Sequence, residues 1–272
     1  MSGIVIDGLR WEVRARGTGQ PLLLLHGFTG RGTAWGAHAT AFARRFRVIT
    51  VDLPGHGRSR SADPARMGVE RTADDLAAIL RQAEAAPADV LGYSLGARIA
   101  LRLAVAHPDV VRRLVLESPS AGLPTVRERA ARSRADEDLA ARIERDGIAA
   151  FVALWERQPV FASHAALPPA RAARLRSMRL ANRPAGLAAS LRGAGQGSME
   201  PLFDRLAAVQ ARTLVIAGAL DDQGRPRAER VARGIPGARL EIIDSAGHTP
   251  PEEEPAAFRR LTLDFLQEDP AA

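Results

Sequence analysis

Gly92-Tyr93-Ser94-Leu95-Gly96 follows directly on the apolar run Asp89-Val90-Leu91 and opens a helical pattern over residues 95–107. G-x-S-x-G in a strand–turn–helix setting is the pattern of a nucleophile elbow. The glycines let strand and helix approach closely, while the serine occupies a strained turn with its hydroxyl exposed. Gly and Ser are common in any βα loop, so the setting carries the reading, not the five residues alone.

The same alternation continues outward. Leu22-Leu23-Leu24-Leu25 and Val48-Ile49-Thr50-Val51 are short apolar runs that end in His26-Gly27 and Asp52-Leu53-Pro54-Gly55. Leu114-Val115-Leu116, Thr213-Leu214-Val215-Ile216 and Leu240-Glu241-Ile242-Ile243 follow, with helical patterns near 72–85 and 255–266 between or after them. Strands alternating with helices predict an α/β fold with a mostly parallel central sheet flanked by helices. Ile4-Val5-Ile6 and Trp11-Glu12-Val13 are expected to form an antiparallel hairpin at its edge. Residues 121–205 break the rhythm: no strand pattern occurs, and Arg, Ala and Leu recur at helical spacing. That segment is expected to be a helical cap, or lid, inserted into a core of residues 1–120 and 206–272. Pockets of open α/β sheets lie at the carboxyl edge of the strands, where such a lid would sit.

Composition removes several chemistries. The 272 residues include no Cys, so disulfides, thiolate metal sites and a Cys nucleophile are excluded. All 38 basic residues are Arg, so no Schiff base and no phosphate-loop lysine is possible. Aromatics make up 4%, too few for stacking platforms on single-stranded nucleic acid. The net charge of +7 is spread among acids, a solvated surface and not a nucleic-acid stripe. No apolar run approaches the ~20 residues of a membrane span. Met1-Ser2-Gly3-Ile4 carries neither a basic segment nor an apolar signal core, so a cytoplasmic protein is expected.

A serine nucleophile needs a base, and the base needs an orienting carboxylate. His248, in Ser245-Ala246-Gly247-His248, follows the last strand and precedes the final helix. Asp221 follows the Thr213–Ile216 run through Gly218-Ala219-Leu220, with Asp222 as its competitor. Of the other histidines, His26 reads as structural, His56 lies in a Gly-rich loop, and His38, His107 and His164 read as packed or solvated. The backbone amides of Leu95 and of Phe28, in His26-Gly27-Phe28, are placed to form an oxyanion hole. Each such donor is typically worth ~3 kcal/mol on a barrier. The order Ser94…Asp221…His248 is that of one large superfamily.

On these motifs, together with Asp52-Leu53-Pro54-Gly55-His56-Gly57-Arg58-Ser59, the whole chain resembles the α/β-hydrolase superfamily. Ala97-Arg98 after the elbow, Arg132-Ser133-Arg134-Ala135-Asp136, Trp155-Glu156-Arg157-Gln158-Pro159-Val160-Phe161 and Arg179-Leu180-Ala181-Asn182 narrow the resemblance. So does Gly186-Leu187-Ala188-Ala189-Ser190-Leu191-Arg192-Gly193. This set looks like the 2-succinyl-6-hydroxy-2,4-cyclohexadiene-1-carboxylate (SHCHC) synthase family, the lyases of menaquinone biosynthesis that eliminate pyruvate. The chain departs from that family's pattern at Ala97 and at Thr249-Pro250-Pro251. The resemblance implies that Tyr93, Arg98, Arg132, Trp155 and Arg179 contact the substrate, and it implies no metal and no organic cofactor.

Charge supports a small-molecule carboxylate substrate. Residues 121–205 hold 14 Arg against 9 Asp and Glu, so most of the net charge is expected on the lid. Arg forks hold carboxylates bidentately. A carboxylic-ester hydrolase with the same triad is the alternative, and a non-catalytic hydrolase-like receptor the third reading. The oligomeric state is left open.

Overall fold

The computed structural model describes residues 3–268. Two short strands, Ile4–Ile6 (β1) and Leu9–Trp11 (β2), form an antiparallel ribbon of their own. The edge strand of the main sheet is the next segment, Val13–Arg16 (β3). The expected hairpin of 4–6 with 11–13 is therefore corrected. Glu12 lies between the two sheets and bonds to loops: its amide donates to Ser59 Oγ, and its carbonyl accepts from Asp52 N. Trp11 ends one ribbon and Val13 begins another sheet.

Pro21–Leu25 (β4), helix Gly36–Phe42 (α1), Arg47–Val51 (β5), Val69–Gln82 (α2), Ala88–Tyr93 (β6), Leu95–Ala106 (α3) and Val111–Glu117 (β7) follow in order. After β7 come helices Val126–Trp155 (α4), Pro169–Leu180 (α5) and Pro184–Ala194 (α6). The chain closes with Arg212–Gly218 (β8), Gly224–Gly234 (α7), Arg239–Ile243 (β9), Pro250–Glu253 (α8) and Pro255–Gln267 (α9). Among the described residues the main sheet runs β3-β5-β4-β6-β7-β8-β9, parallel except for β3.

Helices on both faces explain the unbroken apolar runs: Leu22, Leu23, Leu24 and Leu25 are all fully buried, pointing alternately to the two sides. Burying each such side chain stabilises the fold by about 1.5–3 kcal/mol. A third apolar cluster lies within the inserted helices, where Ile143, Phe151 and Val152 of α4 meet Leu187 and Leu191 of α6. Thr125 and Glu128 cap α4 reciprocally. Gly147, at φ 80°, interrupts the helical geometry of α4 ahead of its last two turns, a conformation glycine adopts without a Cβ penalty.

Register decides where the chemistry emerges. Leu25 pairs with Gly92, Tyr93 with Glu117, and Gly218 with Ile243, so these strands end at one level. The loops that leave this carboxyl edge carry His26–Phe28, Ser94, Asp221 and His248.

Candidate active site

Ser94 sits between β6 and α3 at φ 52°, a left-handed conformation strained for a residue with a Cβ. The elbow requires both glycines. A Cβ on Gly92 would collide with the carbonyl oxygen of Gly96, and one on Gly96 with the carbonyl oxygen of Leu25. The turn thus brings the N-terminus of α3 against β4 and leaves the Ser94 hydroxyl facing out.

His248 Nε2 lies 3.1 Å from Ser94 Oγ, and His248 Nδ1 lies 2.6 Å from Asp221 Oδ2. The second carboxylate oxygen of Asp221 accepts from Gly224 N at 2.8 Å. Burial pushes this carboxyl up, but the hydrogen bond and charge of His248 and the Gly224 amide outweigh burial, leaving it below the ordinary Asp range. It is a carboxylate that holds Nδ1–H and leaves Nε2 free to accept a proton from Ser94. Asp222, one residue on, is exposed. Asp221→Asn should therefore lower kcat by at least about 10²-fold, because an amide does not enforce the imidazole tautomer. Asp222→Asn should be near neutral, and steady-state kinetics on both variants check the pair.

The Phe28 loop is built on two buried histidines. His26 Nδ1–H donates to Gly27 O at 2.8 Å, and its Nε2 accepts from Leu53 N at 2.9 Å. That locks the His26–Phe28 turn to the Asp52–Ser59 turn, which Asp52 itself closes by accepting from Gly32 N and Arg58 N. Phe28 and Leu95 both line the cavity above Ser94, and their amides find no protein acceptor among the described residues. Burial lowers His26 to about 4 and His56 to about 3, so both are neutral in the fold. As pH falls below about 6.5 the unfolded chain takes up these protons first, so stability falls by about 1.4 kcal/mol per pH unit for each histidine. His56→Asn keeps the donor to Pro54 O. Its melting temperature should fall less steeply between about pH 6 and pH 4 than that of the unaltered chain; equal slopes would contradict the assignment.

The cavity has a volume of about 440 Å3. Tyr93, Arg98, Arg132 and Trp155, all expected at the substrate, line it together with Ser94 and His248. Arg98 is buried and projects from α3 one turn beyond Ser94; its Nη1 donates to Ala194 O at 2.7 Å, at the end of α6. Burial and the neighbouring Arg132 lower its pKa to about 10, against the pull of Asp136, so it is charged at neutral pH. Arg132 is held by Asp136 Oδ1 at 2.8 Å.

Arg179 is placed differently from the expectation. It is not among the residues lining this cavity: Nη1 lies 3.2 Å from Glu156 Oε1, and the guanidinium stacks 5.0 Å from the centroid of Phe161. Phe161, whose ring lies edge-on to His248, stands between it and the base. The charge argument is corrected with it. Of the insertion's arginines only Arg132 reaches the cavity, while others such as Arg174, Arg176 and Arg192 form ion pairs with Glu252, Glu156, Glu137 and Glu144. The remaining cation comes from the core. Arg227 on α7 lines the same cavity and forms no ion pair among the described residues. Its position six residues after Asp221 carries no signal in the sequence.

A serine, base and acid in hydrogen-bonded series, two free amides and three guanidiniums around one cavity can bind a polyanion and move a proton. The family model described as alpha/beta hydrolase fold matches residues 20–255. The chain belongs to the α/β-hydrolase family. Within that family it is similar to SHCHC synthases by sequence, and its structural neighbours also include a Thermogutta terrifontis esterase, at 29% identity and a TM-score of 0.85. A Klebsiella pneumoniae SHCHC synthase is 35% identical over 87% of this chain and 89% of its own. A Bacillus subtilis protein provisionally given the same name is 37% identical over 96% of each chain. Among solved structures, MenH from S. aureus superposes with a TM-score of 0.90 at 31% identity, covering 94% of this chain and 97% of that one. The chain is thus similar to named enzymes of the α/β-hydrolase family over nearly its full length.

Proposed function

We propose that this α/β-hydrolase is an SHCHC synthase, a carbon–oxygen lyase that eliminates pyruvate from a polycarboxylate cyclohexene in menaquinone biosynthesis. The observation that carries the reading is the meeting of Arg98, Arg132 and Arg227 in the cavity that also holds Ser94 and His248. Arg132 already has Asp136, but a neutral ester leaves Arg98 and Arg227, neither in an ion pair among the described residues, without an anion; a substrate with several carboxylates matches them. The names of the relatives point the same way.

In this reading Ser94 Oγ, with its proton held by His248 Nε2 and the imidazolium balanced by Asp221, removes a ring proton. The electron pair left behind moves through the ring, the C–O bond to the enolpyruvyl group breaks, and the departing enolate takes up the proton held by His248 to become pyruvate. The Phe28 and Leu95 amides stabilise the oxyanion that develops. Tyr93 and Trp155 shape the walls, and the inserted helices of residues 121–205 act as the lid that excludes water. No covalent enzyme intermediate is needed.

Intact-protein mass spectrometry during turnover tests this. Unmodified chain throughout pyruvate release is the expected result. An added acyl mass on Ser94 would instead show ester hydrolysis by the same triad.

A further inference from the structure

Glu117 ends β7, is fully buried, and is unused by the mechanism above. Its carbonyl accepts the Ser94 amide at 2.9 Å, so its main chain already helps to set the elbow. Its side chain reaches the other end of the site through one neighbour. Ser118 Oγ lies 2.7 Å from Glu117 Oε1 and 3.1 Å from the carbonyl oxygen of His248. Ser118 is held at φ 49°, a left-handed conformation costly for a serine, with its amide on Ile216 O. That conformation aims the hydroxyl between the two acceptors.

A proton count settles the direction of these bonds. The Ser118 hydroxyl has one proton, while an ionised Glu117 and the His248 carbonyl would both require it. With an ionised Glu117 the hydroxyl turns to the carboxylate, and the His248 carbonyl loses its donor. With a protonated Glu117 the carboxyl O–H donates to Ser118 Oγ, and the Ser118 proton passes on to His248 O. Only the second arrangement satisfies the chain of groups.

We propose that Glu117 is a neutral hydrogen-bond donor and a positioning residue, anchoring the main chain of His248 through Ser118 and so setting where Nε2 meets Ser94. The surroundings agree. Burial pushes the Glu117 carboxyl well above the ordinary range, the Ser118 hydrogen bond opposes this, and the facing acids Glu253 and Asp221 add to it. Tyr93, paired opposite on β6, is the other titratable neighbour, and burial drives its phenol further from ionisation. Oε2 of Glu117 has no hydrogen-bond partner among the described residues, which suits a neutral carboxyl better than a charge.

Infrared difference spectroscopy at neutral pH, wild type minus Glu117→Gln, tests the protonation state without any substrate. A carbonyl band of a protonated carboxyl, shifted in D2O, is expected; carboxylate bands in its place would overturn the proposal. The folded state then holds a proton that the unfolded chain has released, so between about pH 5 and pH 8 the wild type should lose stability relative to Glu117→Gln; a flat difference would contradict it. The kinetic arm rests on the lyase reading. Glu117→Leu should lose roughly 10- to 100-fold in kcat with KM unchanged, and Glu117→Gln, which keeps a donor, should restore it to within about 3-fold. Equal losses in the two variants would overturn the role. If Glu117→Leu does not fold, the spectrum and the pH-dependent stability of Glu117→Gln still decide. Absence of pyruvate release by the wild type would count against the lyase reading and leave the spectrum untouched.

Discussion

Ser94→Ala is expected to fold normally and to lose roughly 10³-fold or more in kcat. Among the described residues the side chain makes one hydrogen bond, to His248 Nε2, and Ala keeps the Cβ that the φ of 52° already accommodates. No apolar contact is lost from the core, so the melting temperature should stay within about 4 °C. In the proposed mechanism, what disappears is the atom that takes the substrate proton. Near-normal turnover by a folded Ser94→Ala protein would remove Ser94 from the chemistry. In that case His248 would have to act directly as the base.

Arg98→Ala comes second. Residues i and i+4 of a helix share a face, which brings Arg98 up beside Ser94 in the same cavity. Loss of a charge-assisted contact to a substrate carboxylate removes ~2–3 kcal/mol, or roughly 30- to 150-fold in kcat/KM. Arg98→Lys should recover part of this, since an ammonium lacks the planar fork. The Ala194 carbonyl that Arg98 holds complicates the alanine variant, because a lost partner there loosens the end of α6. Kinetics on a neutral nitrophenyl ester separate the two effects: a loss confined to the carboxylate substrate marks recognition. Equal losses on both substrates would mark Arg98 as structural.

The fold is legible because its strongest signals are local. Leu22–Leu25 and the elbow glycines declare a buried strand and a tight strand–helix turn without reference to anything distant. The N-terminal hairpin is misread because Trp11-Glu12-Val13 looks like one strand, whereas Glu12 bonds to the Asp52–Ser59 loops and separates two sheets. In the candidate site, Ser94, Asp221 and His248 lie at predictable strand ends. The cationic wall does not. Whether an arginine faces the cavity depends on tertiary packing: Arg227 gets there from α7, while Arg179 is drawn away by Glu156 and Phe161. Glu117 reads as an ordinary acid at a strand end until the Ser118 hydroxyl is seen between it and His248.

The most direct test is a lactate-dehydrogenase-coupled assay of pyruvate release from the cyclohexene polycarboxylate, run beside a panel of nitrophenyl esters. Rapid, stoichiometric pyruvate release with SHCHC as co-product, and ester hydrolysis slower by orders of magnitude, is the expected result. Efficient ester hydrolysis with no pyruvate would contradict the account and leave the same triad working as a carboxylesterase.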